Sequence, residues 1–79
     1  MRYVYLLESG ANGQRYVGVT SNLRQRLLDH NAGKSPHTSK HVPWKLMTYV
    51  AFSDGFKADA FERYLKSGSG HAFAKNRLW

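Results

Sequence analysis

Arg26 and His30 stand four residues apart, with Asn22 four residues before Arg26. On a helix that spacing sets all three on one face. The surrounding chain reads as a helix over residues 21–31. Thr20-Ser21-Asn22 offers N-capping side chains, Leu23, Leu27 and Leu28 an apolar stripe, and Gly33 a C-terminal cap. A helix that buries leucines and shows an arginine with a histidine is a platform for an anion. Just upstream, Tyr16-Val17-Gly18 reads as the end of a strand, and Tyr3-Val4-Tyr5 begins another. Two tyrosines, an arginine and a histidine converging on one spot suggest phosphodiester chemistry. That reaction needs an activated nucleophile, offset charge on the phosphoryl oxygens and a stabilised leaving oxygen. Arg26 supplies a planar fork of donors for phosphate. His30 titrates near neutrality and is the easier base, but Tyr5 and Tyr16 remain alternatives for orienting or deprotonating water.

The elements that must position these residues follow from pattern. Residues 2–7 alternate two sets, both largely apolar, which requires a strand covered on both faces. Ser9-Gly10-Ala11-Asn12-Gly13 is turn chemistry, with Asn12-Gly13 a strong hairpin signal, and residues 14–19 form the return strand. Residues 34–43 look irregular, and 44–52 return to strand composition. Ser53-Asp54-Gly55 is a turn and helix cap. A second helix covers residues 56–66, with Ala58, Phe61 and Leu65 at helical spacing, and Ser67-Gly68-Ser69-Gly70 ends it. A short final helix over residues 71–79 closes the core with Phe73, Leu78 and Trp79. The order is β-β-α-loop-β-α-α: one α/β domain over residues 1–79, a small three-stranded, mainly antiparallel sheet flanked by helices.

Composition narrows the partner. Twelve Lys and Arg against five Asp and Glu leave a net charge of +7 on 79 residues. So large an excess favours a polyanion, with nucleic acid first. Lys34, Lys40 and Lys45, with His37, Thr38 and His41 among them, are placed to follow a nucleic-acid backbone, and Trp44 to stack on an exposed base. His37 and His41 are four apart, but Pro36 and Pro43 argue against a helix and no third ligand is evident, so phosphate contact is preferred to zinc. There is no cysteine, no signal region and no apolar run of membrane-spanning length. The expectation is a soluble, cytoplasmic protein without a membrane partner. Oligomeric state is not legible.

Together these residues resemble the GIY-YIG nuclease domain over nearly the whole chain. Tyr3-Val4-Tyr5 stands for the first motif and Tyr16-Val17-Gly18 for the second. Asn22-Leu23 and Arg26 follow in the family manner, with His30 one turn later and Glu62 within Ala60-Phe61-Glu62-Arg63. Within the family the chain is most similar to the small stand-alone bacterial proteins related to the nuclease domain of the excision-repair endonuclease. The resemblance implies a metal-dependent endonuclease cutting DNA, single-stranded, branched or duplex. Tyr5, Tyr16, Arg26, His30 and Glu62 would be catalytic, Glu62 holding Mg²⁺ or Mn²⁺. Apart from the resemblance, a positive charge from Arg26 together with a metal is expected to lower a tyrosine's pKa and let it act in relay. Asn22 and Asn76 join the nucleic-acid contacts, Asn76 in the place of the family's late asparagine. Two positions depart from the pattern: the first motif is Tyr-Val-Tyr, and Val19 stands where the excision-repair relatives carry lysine. Read alone, Glu62 could simply pair with Lys66 on its helix. A nucleic-acid-binding module or nuclease subunit without catalysis is the alternative function, and a merely basic structural protein the third.

Overall fold

The computed structural model describes residues 1–79 throughout. Its elements are β1 (Arg2–Ser9), β2 (Arg15–Thr20), α1 (Leu23–Asn31), a 3₁₀ turn (Ser39–His41), β3 (Trp44–Phe52), α2 (Gly55–Leu65) and α3 (Gly68–Arg77). The sheet order is β2-β1-β3, and both pairings are antiparallel. β1 is therefore the central strand, and its two apolar sets serve two cores. Val4 and Leu6 pack with Ala58, Leu65 and Ala74 from α2 and α3. On the other face, Tyr5 and Leu7 pack with Trp44 and with Leu23 and Leu27 of α1. The doubly covered strand expected from the sequence is present.

The hairpin turns where Asn12-Gly13 required. Gly13 has φ of 75°, its N–H donates to the Ser9 carbonyl, and Ser9 N–H donates to Gln14 O at 2.7 Å. The helix expected from Ser21 begins instead at Leu23. Asn22 is its cap, accepting from Gln25 N–H at 3.1 Å, which holds its side chain at the helix end. At the other end Ala32 occupies the cap position, and Gly33, with φ of 75°, follows it. Gly33 N–H donates to His30 O and Lys34 N–H to Asp29 O, the paired bonds of a Schellman motif. Leu28 does not belong to the buried stripe: it is 58% exposed. Only Leu23 and Leu27 lean on the sheet, because the next buried position of α1 is taken by His30.

Ser67-Gly68-Ser69-Gly70 does more than end α2. Ser67 caps α3 by accepting from Gly70 N–H, and the helix runs from Gly68. The glycines lower helix propensity, but packing overrides it. A Cβ on Gly70 would fall on the Tyr64 carbonyl and lie 2.7 Å from Leu65 Cα, so backbone meets backbone where α3 crosses α2. Nothing stands within 4 Å of a Cβ on Gly68. Gly70→Ala should therefore destabilise the fold by about 2 kcal/mol or more, since backbone cannot yield as a side chain does. Gly68→Ala should shift stability by less than about 1 kcal/mol. Urea unfolding of the two variants tests the contrast, and equal stabilities would refute the close crossing.

Candidate active site

The site starts from a glycine. Tyr5 in the central strand faces Gly18 in β2. A Cβ at position 18 would overlap the Tyr5 hydroxyl and lie 3.0 Å from Tyr16 Cε2. Hydrogen in that place lets the Tyr5 ring lie across the neighbouring strand and reach α1. There the Tyr5 hydroxyl meets His30 Nε2 at 2.9 Å. His30 Nδ1 meets Thr38 Oγ1 at 2.8 Å, and the Thr38 carbonyl accepts from the Trp44 indole at 2.9 Å. Tyr5, His30 and Thr38 are all buried. One proton arrangement gives every group a partner. Thr38 O–H donates to Ser35 O, at 3.5 Å, and accepts from His30 Nδ1–H, leaving Nε2 to accept from Tyr5. Asn31 fixes the frame by accepting from Trp44 N–H at 2.5 Å and donating to Trp44 O at 3.2 Å.

Outside this dry row lie the accessible members. The half-buried Tyr16 sets its ring edge-on to His30, with centroids 5.0 Å apart, and lies 6.2 Å from the Tyr5 ring. Arg26, exposed, carries its guanidinium beside the Tyr5 hydroxyl. Burial pushes the Tyr5 phenol above its ordinary pKa, and Arg26 only partly offsets this. Arg26 pulls the Tyr5 pKa down as expected, but its charge alone does not outweigh burial. Burial also lowers the His30 pKa, and the positive charge of Arg26 lowers it further against the opposite pull of Asp29. The Arg26 pKa is raised by its contact with Tyr5. At neutral pH the row therefore holds a protonated Tyr5 against a neutral imidazole.

A cavity of about 240 Å³ opens beside this row, lined by Arg26, Asp29, His30, Lys34, Ser35 and Pro36. Lys34 thereby joins Arg26, although it also pairs with Asp29 at 3.7 Å. His37, Lys40 and Lys45 face solvent, as expected of backbone contacts, and Asn76 is exposed on α3. His41 is half-buried, its Nδ1 engaged by Asn12 Nδ2 at 2.8 Å. Two expectations fail. Thr38, 1% exposed, cannot touch nucleic acid and instead holds His30. Trp44, 5% exposed, cannot stack on a base, because its indole is packed inside and bonded to Thr38 O. Val19 is half-buried and packs against the core beside Val4 and Leu6.

Glu62 belongs to another layer. It lies on α2, which covers the opposite face of β1 from α1, and its carboxylate is ion-paired with Lys66 one turn on. The side chain is 15% exposed. No three carboxylate, imidazole or thiol groups converge to enclose a metal ion. Asn31, the buried role of Thr38 and the close approach of Tyr5 that requires Gly18 were not read from the sequence. The glycine of Tyr16-Val17-Gly18 was the signal available, since a small residue in a strand marks close approach.

Replacing Thr38 by Val keeps the shape but strands His30 Nδ1 without a partner, at an expected cost of about 1–3 kcal/mol. Thr38→Ser should retain most of that stability, and denaturant unfolding separates the two. The pH dependence of stability has a fixed sign. The folded pKa of His30 lies below 6.5, the unfolded value. Stability from the neutral imidazole is then complete above pH 6.5. It falls as pH drops, because the unfolded chain takes up the proton first, until the folded pKa is passed. NMR titration of the His30 ring beside unfolding curves tests this. A folded pKa above 6.5 would contradict it.

Comparison with known proteins agrees with this architecture. The profile of the GIY-YIG catalytic domain matches residues 1–76. A UPF0213 protein of Streptococcus pneumoniae is 37% identical over 65 residues, covering 81% of this chain and 65% of its own length. One from Lacticaseibacillus paracasei is 34% identical over 70 residues, covering 87% and 78%. The solution NMR structure of a UPF0213 protein from Bacillus halodurans superposes with a TM-score of 0.59 at 28% identity, covering 99% of this chain and 87% of that one. The family match spans both tyrosine motifs, Arg26, His30 and Glu62, and the chain belongs to the GIY-YIG family of nuclease domains.

Proposed function

We propose that this chain is a divalent-metal-dependent endonuclease that hydrolyses DNA phosphodiester bonds. The observation that carries the reading is the buried row Tyr5–His30–Thr38, with Tyr16 and Arg26 at its solvent end. A neutral imidazole held against a phenol is a proton acceptor shielded from water. Tyr16 reaches solvent and lies against both Tyr5 and His30. It is the group suited to orient the attacking water, with the Tyr5–His30 pair packed behind it. Tyr5 and His30 act from behind the surface, while Arg26 offers its fork to the phosphoryl oxygens where negative charge develops.

Glu62 fits Mg²⁺ or Mn²⁺ in one specific form. A single carboxylate with several retained waters and the substrate's own phosphate is a usual ligand set for Mg²⁺. When bound, the ion would polarise the phosphate and stabilise the leaving oxygen. Lys66 neutralises Glu62 in the free protein and must give way to that ion. The exposed cations Lys34, Lys40 and Lys45 hold the flanking backbone.

The test is cleavage of single-stranded, duplex, flap and RNA substrates, with Mg²⁺ and with chelator. Glu62→Ala should abolish cutting while leaving the fold and binding nearly intact. Arg26→Ala should slow it by about 10²–10³-fold, and Arg26→Lys should not restore it, since a point charge cannot reproduce the fork. Wild-type turnover in Glu62→Ala would remove the metal from this carboxylate. Binding without cleavage by the intact protein would favour the non-catalytic module.

A further inference from the structure

β2 is an edge strand, and Arg15, Tyr16 and Val17 of it border α2 and α3. A groove of about 460 Å³ remains there, inside the roughly 300–1,000 Å³ range of sites that hold small organic ligands. Val17, Leu65, Ala74 and Trp79 give it an apolar lining, and Tyr16 contributes at its border. Trp79 is held by its N–H donating to Ala74 O at 3.1 Å. Arg15, Lys66 and Lys75 carry positive charge at the groove, and no carboxylate lines it. Arg15 and Lys66 are engaged by Glu8 and Glu62, but Lys75 has no ion-pair partner. The Arg15 guanidinium also lies 4.7 Å over the Trp79 ring.

We propose that this groove receives one unpaired nucleobase of the bound strand, next to the phosphate held at Tyr16. The inference rests on the nuclease reading of the Tyr16 site and specifies its substrate. Flat aromatic and guanidinium surfaces stack any base, and a flanking cation takes the adjoining phosphate. Tyr16 is shared between the groove and the buried proton row, so base and scissile phosphate belong to neighbouring nucleotides. A base inside a duplex must first be unstacked to enter, whereas a base in a single strand, bulge or flap is already free. The groove therefore selects nucleic acid with unpaired nucleotides.

Ala72 lines the groove on the solvent side of α3, where a larger side chain obstructs it without entering either core. The full chain and its Ala72→Leu variant are titrated, with chelator present, against a single-stranded oligonucleotide and the matching duplex, each carrying one 2-aminopurine. Ala72→Leu should weaken single-strand binding by about tenfold and abolish quenching of the reporter base, while duplex binding changes by less than about twofold. Ala72→Gln, a neutral obstruction at the same exposed position of α3, repeats the test should Ala72→Leu fail to fold. Equal losses on both substrates would show a plain backbone contact and overturn the base site. Unaltered single-strand binding by Ala72→Leu, beside a wild type that cuts DNA, would overturn it while leaving the nuclease reading standing. Failure of the wild type to bind or cut any nucleic acid would remove the nuclease reading and the base site together.

Discussion

The hydrogen bond between Tyr5 and His30 is the constraint around which this small protein is arranged. Both partners are buried, so each remaining polar atom must find a partner within the fold. His30 Nδ1 finds Thr38, and Trp44 binds the Thr38 carbonyl. Asn31 then clamps the main chain of Trp44. The connection between α1 and β3 is drawn against the site by these bonds despite having little regular structure of its own. No buried side-chain polar atom is left without a partner. On the strand side the same bond fixes Gly18, because any side chain there would occupy the place of the Tyr5 hydroxyl.

The site has a dry half and a wet half with different electrical tasks. Inside, desolvation sets the proton inventory: a phenol that keeps its proton and an imidazole that lacks one. Outside, Arg26 and Lys34 present positive charge in the cavity beside His30. Arg26 acts on both halves. Its charge disfavours protonation of His30, while its contact with Tyr5 opposes the effect of burial on the phenol. An anion seated on Arg26 would mute both influences and so alter the proton affinity of the row.

Much of the frame was legible in the sequence. The third strand, the Asn12-Gly13 turn, the two-faced central strand and the glycine after α1 all follow from local chemistry. The tyrosines, Arg26 and His30 were legible as one group because strand pairing and helical spacing bring them together. What escaped depends on contacts distant in sequence. Thr38 looks like a polar loop residue until the loop is seen folded over His30, and Trp44 looks available for stacking until its indole is seen bonded inside. Leu28 looks like a core residue because a helical stripe does not reveal its width, and His30 takes the buried place. Gly68 and Gly70 look like a helix terminator. The reason for a glycine at position 70 is the backbone of Tyr64, which pattern cannot show.

The strand order has a consequence for how copies of the protein meet. β2 and β3 each keep one side without a neighbouring strand, and neither contains proline. Such open sides can pair with a strand from another molecule and seed aggregates. Here the deterrent is largely colloidal: a charge of +7 makes copies repel within a screening length of about 8 Å at physiological salt. A polyanion that binds these cations cancels the repulsion as it is bound. Several copies gathered on one long strand would then be both concentrated and discharged, with their sheet edges free to join. Whatever cancels that charge would leave the open sheet edges as the surface through which copies could pair.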